Sequence, residues 1–310
     1  MIYLLLLVPI ALPLAMPPLA RRALERLTPT TALWAVTGSA VVLACCSLTA
    51  LGAFVLTGLL KVPLFAAFGE LVRPLRTGSN MIVVPAAAFS VGALAVCAWT
   101  VGRTVLRQAR AFRTATSEAD RRVTAGDLCV IDSPHPDAYA LPGRPHRIVV
   151  TTGMLRTLGP DEREALFAHE RAHNAGGHHY FLALAELAAH CHPGLSPVAG
   201  TIRLAVERVA DEAAAEAVGD RRLTARAIGR AALASRTAPE ERPSFAPAAT
   251  TGPVPQRVAA LLQAPRPSHR AARLTAALLI ACTALSACAS ATGVIGFHHE
   301  VEVAQGERGR

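Results

Sequence analysis

His169-Glu170-Arg171-Ala172-His173 closes the run Gly159-Pro-Asp-Glu-Arg-Glu-Ala-Leu-Phe-Ala-His-Glu-Arg-Ala-His, and the reading of the whole chain starts from it. Asp161, Glu162 and Glu164 crowd the first turn of the expected helix, where the macrodipole favours carboxylates. On such a helix His169 and His173 lie one turn apart on one face. Both imidazoles can then reach a single Zn²⁺, with Glu170 facing a water at the metal. The spacing suits peptide hydrolysis: zinc acidifies the water and polarises the carbonyl, while Glu170 takes the proton and passes it to the leaving amine. The bland alternative is a solvated helix face carrying two incidental histidines. Ala165, Leu166, Phe167 and Ala168 are too apolar for that, and a buried face with two imidazoles and a carboxylate needs something to partner them.

The surrounding composition is that of a membrane protein. The 310 residues are 52% hydrophobic, 5% aromatic and 17% charged, with positive mean hydropathy. Lys61 is the only lysine, so the net charge of +9 is carried by arginine. The arginines cluster beside apolar segments, where they read as topology signals and contacts to membrane lipid. No direct nucleic-acid partner is expected. Five of the seven cysteines sit in apolar runs and no CxxC occurs, so nothing argues for a disulfide framework.

Four apolar runs organise the chain. Residues 2–20 are uncharged and of bilayer length, with kinks expected at Pro9 and Pro13. Arg21, Arg22 and Arg26 follow this run, whereas a cleaved signal peptide carries its charge in front, so the run reads as a retained span. Residues 32–60 and 81–101 form the second and third runs, and residues 61–80 between them read as an interfacial segment. Arg103, Arg107, Arg110 and Arg113 recur every three or four residues, so the third helix should continue out of the membrane with a basic stripe. Arg266, Arg270 and Arg273 precede the fourth run, residues 274–297. Both flanks of the intervening region are basic, which places that region in the cytoplasm of a multi-pass cell-membrane protein.

The expected fold is therefore a mainly α membrane protein of about four transmembrane helices, with a cytosolic α+β zincin domain inserted between the third and fourth. Residues 1–109 would be the membrane domain, 110–265 the zinc domain, 266–297 the fourth helix and 298–310 a short extracytoplasmic tail. Within the zinc domain, residues 128–132 read as a strand and residues 138–143 as a lead-in to a second β-branched run that begins at Arg147. Helices are expected over residues 180–190 and about 198–218, and the proline-rich residues 236–255 read as a linker.

Zinc needs a third protein ligand, and the sequence offers two. The literal pattern from His169 through Gly176 to His179 fulfils HExxHxxGxxH, which would make His179 the ligand. That pattern belongs with a downstream Met-turn, and no methionine follows Met154. The other candidate is Glu207 in Glu207-Arg-Val-Ala-Asp211. Residues at i and i+4 point the same way, so Glu207 can bind zinc while Asp211 orients a ligating histidine. Glu207 is favoured. His178, His190 and His192 read, with His179, as partly exposed helix-end histidines, with proton shuttling or adventitious metal binding as the rival reading.

Taken with the apolar runs, Ala138-Tyr-Ala-Leu-Pro-Gly, Ile148-Val-Val-Thr-Thr-Gly-Met-Leu, HExxH and ExxxD make most of the chain resemble the integral-membrane zinc metallopeptidases of the β-lactam-sensor (Bla/Mec regulator) type. These are gluzincins related to the heat-shock and prenyl-protein membrane proteases. The resemblance implies Zn²⁺ on His169, His173 and Glu207, Glu170 as the catalytic base, Asp211 behind a ligand, and residues 148–151 as the sheet edge that pairs with substrate. It also implies a protein or peptide substrate, cytosolic or membrane-proximal, such as a transcriptional repressor. About a dozen residues follow the last run where the antibiotic sensors carry a large penicillin-binding domain, so direct β-lactam sensing is not expected. A non-catalytic membrane signalling scaffold is the alternative function, and the intact Glu170 argues for the enzyme.

Overall fold

The computed structural model describes residues 2–59, 80–121, 124–235, 253–263 and 269–305. The chain begins with α1 (Ile2–Ala11), a 3₁₀ turn (Leu12–Ala15) and α2 (Met16–Arg26), followed by α3 (Pro29–Leu59) and α4 (Asn80–Asp120). Four short strands come next: β1 (Thr124–Ala125), β2 (Leu128–Ile131), β3 (Ala138–Leu141) and β4 (Arg147–Thr151). The remaining helices are α5 (Thr152–Thr157), α6 (Pro160–Ala175), α7 (His178–Cys191), α8 (Ser196–Val218), α9 (Arg221–Ser235), α10 (Val254–Leu262) and α11 (His269–Gln305).

Among the described residues four helical segments are long and apolar enough to cross a membrane: Leu5–Arg26, Pro29–Leu59, Val83–Asp120 and Arg270–Gly296. The first is interrupted where the prolines predict. Pro13 has no N–H to give the Pro9 carbonyl, and Ser47 Oγ, 2.8 Å away on α3, donates to that carbonyl instead. α4 runs unbroken to Asp120, so the arginine stripe does lie on a helix that continues past the apolar run. α11 likewise continues beyond residue 297, as far as Gln305. Residues 61–79, read as interfacial, lie outside the described residues, as do residues 236–252 of the expected linker. The linker reading fails at its far end, where Val254–Leu262 is helical with proline in the first turn, a position that needs no N–H.

The sheet order is β1-β2-β4-β3, with β2 parallel to β4 and both outer pairings antiparallel. This corrects one expectation: residues 148–151 are not an edge. β4 is paired on both sides, and Ile148, Val149 and Val150 are all buried, as suits a strand covered on both faces. The edge beside α6 is β3, whose Ala138 shares a core with Val150, Met154, Leu158 and Leu166.

The main core joins the spanning helices to α7 and α8. Phe181, Leu182, Leu195, Val198, Ile202 and Val206 pack with Met16, Leu24, Leu33, Val36 and Leu43. Trp34 meets Phe181 edge to face at 4.8 Å between centroids. α8 therefore has one face in the core of the spans, and its Glu207 stands next to Val206 of that core.

Candidate metal centre

α6 starts where its sequence specifies. Gly159 is extended and Pro160 occupies the first turn. The Glu162 carboxylate accepts the Gly159 N–H at 2.9 Å, and Arg230 Nη1 approaches it to 2.6 Å from α9. These contacts outweigh the cost of burial and hold the Glu162 carboxyl below its usual range. The helix then buries one stripe, Ala165, Leu166, His169, Glu170 and His173, at the period of an amphipathic helix.

The stripe and α8 bring three of the expected residues together. His169 Nε2 and His173 Nε2 lie 3.0 Å apart. Glu207 Oε2 is 3.5 Å from the first, and Glu207 Oε1 is 3.9 Å from the second. All three residues are buried, and they form a candidate zinc site whose ligand atoms lie within 4.8 Å of one another. Tetrahedral zinc with bonds of about 2.0–2.2 Å separates neighbouring ligand atoms by about 3.3–3.6 Å, and the observed distances straddle that range. Two imidazoles and one carboxylate are also the donor set of a catalytic site that keeps a fourth position open. The residues fit the ion.

Behind the ligands, His169 Nδ1 lies 3.1 Å from Asp211 Oδ1, where the ExxxD spacing places it. Burial alone would lower the His169 pKa, but the Asp211 and Glu207 carboxylates raise it to about 9. His173 moves the other way, well below its usual value, through burial and the nearby His169, His178 and Arg257. Glu170 is fully buried on the same stripe of α6.

Two residues of the site escaped the sequence reading. Arg257, two residues beyond the expected linker, is 0% exposed. Its Nε donates to Asp211 Oδ2 at 2.8 Å, its Nη2 to Asp211 Oδ1 at 2.6 Å, and its Nη1 lies 3.0 Å from Glu207 Oε2. Burial opposes its charge, but Glu207 and Asp211 push its pKa up, and Arg257 in turn holds the Asp211 carboxyl down. The available signal was periodic: Arg257 falls on the stripe of Val254, Val258 and Leu261, where an exposed arginine would not.

The second residue is His178, expected from the sequence to be a partly exposed helix-end histidine. It is 2% exposed, and its Nδ1 is 2.8 Å from His173 Nδ1. Gly176 and Gly177 make this possible. A Cβ on Gly176 would come within 2.5 Å of His178 Nε2, and Gly177 takes the left-handed φ of 60° that turns the chain back. Burial, with the nearby His169 and His179, lowers the His178 pKa to about 4. His179 points elsewhere: it is half-buried, stacks on Tyr180 at 4.0 Å, and is not in the metal group found among the described residues. His190 Nε2 contacts Thr104 Oγ1 at 3.0 Å, and His192 Nδ1 accepts the Gly194 N–H at 3.1 Å.

A small sheet beside a helix bearing two histidines, with a carboxylate supplied by a later helix, defines a zincin-like metal centre within a mostly helical chain. Comparison with known proteins agrees with that class. Residues 103–195 match the model of Peptidase family M48, under a third of the chain, and His169, Glu170 and His173 lie inside the match. The Protease HtpX of Idiomarina loihiensis is 39% identical over 70 residues, which cover 21% of this chain and 24% of that protein. The chain thus spans about a quarter of the length of this curated relative. No solved structure matches. Both similarities support a metalloprotease, and M48 peptidases are zinc-dependent. Glu207, Asp211 and Arg257 lie beyond the matched segment and rest on geometry.

Proposed function

We propose that this protein is a membrane zinc endopeptidase that hydrolyses peptide bonds of a cytosolic or membrane-proximal protein. The observation that carries the reading is the convergence of His169, His173 and Glu207, buried, with Asp211 behind His169. In this reading residues 110–265 form the peptidase unit between the third and fourth spans. His169, His173 and Glu207 hold the ion, and zinc there supplies a polarised carbonyl and an acidified water. Asp211 fixes the tautomer of His169. Glu170 takes a proton from the attacking water and returns it to the leaving amine. Arg257 neutralises part of the charge of Glu207 and Asp211. With β4 paired on both sides, β3 is the strand whose outer edge can add the substrate backbone, and it adjoins α6.

The cytoplasmic side is supported by charge and by contact. Arg21, Arg22 and Arg26 flank the first span, Arg103 to Arg113 follow the third, and Arg270 and Arg273 precede the fourth. Arg208 Nη1, one residue after Glu207, donates to the Leu24 carbonyl at 2.7 Å, so the metal helix meets the chain at an arginine-rich end of a span. The resemblance to Bla/Mec-type regulators makes a transcriptional repressor a substrate to test.

The test is Glu170→Gln in the full-length protein in lipid. It should keep its zinc and lose about 10²–10⁴-fold in proteolysis of a reporter substrate. Equal, zinc-dependent turnover by parent and variant would remove Glu170 from the mechanism. Absence of turnover in the zinc-loaded parent, whatever the substrate, would favour a signalling scaffold.

A further inference from the structure

The turn between α7 and α8 sits deep among the spanning helices, and three independent contacts measure how deep. A Cβ on Gly194 would come within 3.0 Å of Leu14 Cδ2. The Cys97 thiol faces the carbonyls of His190, at 3.4 Å, and Cys191, at 3.6 Å. Leu195 and Val198 share the core of Met16, Leu33 and Leu43. Leu14 precedes Arg21 by seven residues and Cys97 precedes Arg103 by six, those arginines being the first charges at that end of their spans. At 1.5 Å per residue both markers lie about 9–11 Å inside the arginine level. On the way out, Arg208 reaches Leu24, near that level, twelve residues and about 18 Å of helix after Ser196.

The chemistry of the segment suits that depth. Residues 187–202 contain no Asp, Glu, Lys or Arg. The backbone N–H groups at the turn are satisfied from within the protein, as a lipid environment requires. His192 N–H donates to Ala188 O at 3.1 Å, and Leu195 N–H to His192 O at 2.9 Å. The His192 ring accepts from Gly194 N–H at Nδ1 at 3.1 Å.

We propose that residues 187–202 form a re-entrant hairpin whose tip enters the hydrocarbon of the metal-side leaflet by about 10 Å, with lipid acyl chains against its exposed Pro193, Pro197 and Gly200. The proposal does not depend on catalysis. It places Glu207, eleven residues up α8 from Ser196, at the headgroup level, so the metal helix is anchored in the bilayer at its own start as well as through the four spans.

Electron paramagnetic resonance of single nitroxides tests this. Labels go on Ser196→Cys and Gly200→Cys in the full-length chain, with the native cysteines replaced, in phosphatidylethanolamine/phosphatidylglycerol vesicles. Val96→Cys in the third span and Arg156→Cys outside it serve as references, both exposed positions. Position 196 should match position 96, favouring relaxation by oxygen over a water-soluble nickel complex, and position 200 should fall between positions 96 and 156. Nickel access at position 196 equal to that at position 156, or matching the headgroup level, would overturn the proposal. A second reading uses the unaltered protein. Cys191 should resist a water-soluble maleimide in opened vesicles and react once the protein is unfolded, and labelling before unfolding would equally overturn it.

Discussion

Replacing Arg257 by methionine keeps most of the side-chain volume and deletes the charge between two buried carboxylates. The arginine makes two hydrogen bonds to Asp211, at 2.8 and 2.6 Å, and lies 3.0 Å from Glu207, with all three side chains nearly inaccessible to water. Removing one partner of a buried ion pair costs about 3–5 kcal/mol, because the remaining charge has neither water nor a counter-ion. At roughly 2–4 °C per kcal/mol for a domain of 150–250 residues, the unfolding midpoint should fall by about 6–20 °C. The effect should depend on the metal. A dication held by Glu207, with His169 linking it to Asp211, supplies positive charge to the same carboxylates, so saturating zinc should remove half or more of the deficit. The assay is thermal unfolding of the full-length protein in lipid or detergent, at one scan rate, with chelator and then with zinc. A variant within about 2 °C of the parent in chelator would refute the charge argument. A full-sized deficit that zinc does not reduce would show that Arg257 acts through packing.

Zinc affinity, measured by competition with a chelator, should sort the neighbouring side chains. With His173 Nε2 on the metal its Nδ1 carries the proton and His178 Nδ1, 2.8 Å away, accepts it. Glu207→Ala and His178→Leu should therefore weaken binding, the latter by about 10–100-fold, while His179→Ala and His178→Asn, whose amide oxygen replaces that acceptor, stay within about threefold of the parent. A drop for His179→Ala with none for Glu207→Ala would restore the rejected ligand set, and equal drops for His178→Leu and His178→Asn would remove the acceptor role. Zinc must also displace a proton. With the His169 pKa raised to about 9 in the chelated protein, rebinding at pH 7.5 should release close to one proton, falling towards zero as the pH passes about 9. The same shift lies above the unfolded value of 6.5, so its contribution to the stability of chelated protein is complete below pH 6.5 and disappears as the pH rises through about 9. Calorimetry in buffers of different ionisation enthalpy checks the release, and a value near zero at pH 7.5 would contradict the His169 assignment.

What the sequence determined by itself is what repeats along a single element. The pairing of His169 with His173 and of Glu207 with Asp211 follows from helical spacing, and the four apolar runs from length and hydropathy, because each signal is carried by residues within a few turns of one another. The tertiary structure decided everything that depends on which distant segment arrives beside which. Residues 148–151 became an interior strand because β2 and β3 took both of its edges, a choice of pairing that a β-branched run does not reveal. Arg257 joined the metal centre across 46 residues from Asp211, through a short helix that follows the expected linker and buries its stripe. His178, and not His179, turned inward because Gly177 adopts a left-handed φ that rotates α7 relative to α6, and a shift of one residue on a helix is 100° of direction. The insertion of α7 and α8 among the spans was equally invisible: their apolar faces read as those of any core helix, and only packing against Met16, Leu33 and Val36 shows that the core they complete is the one formed by the membrane helices.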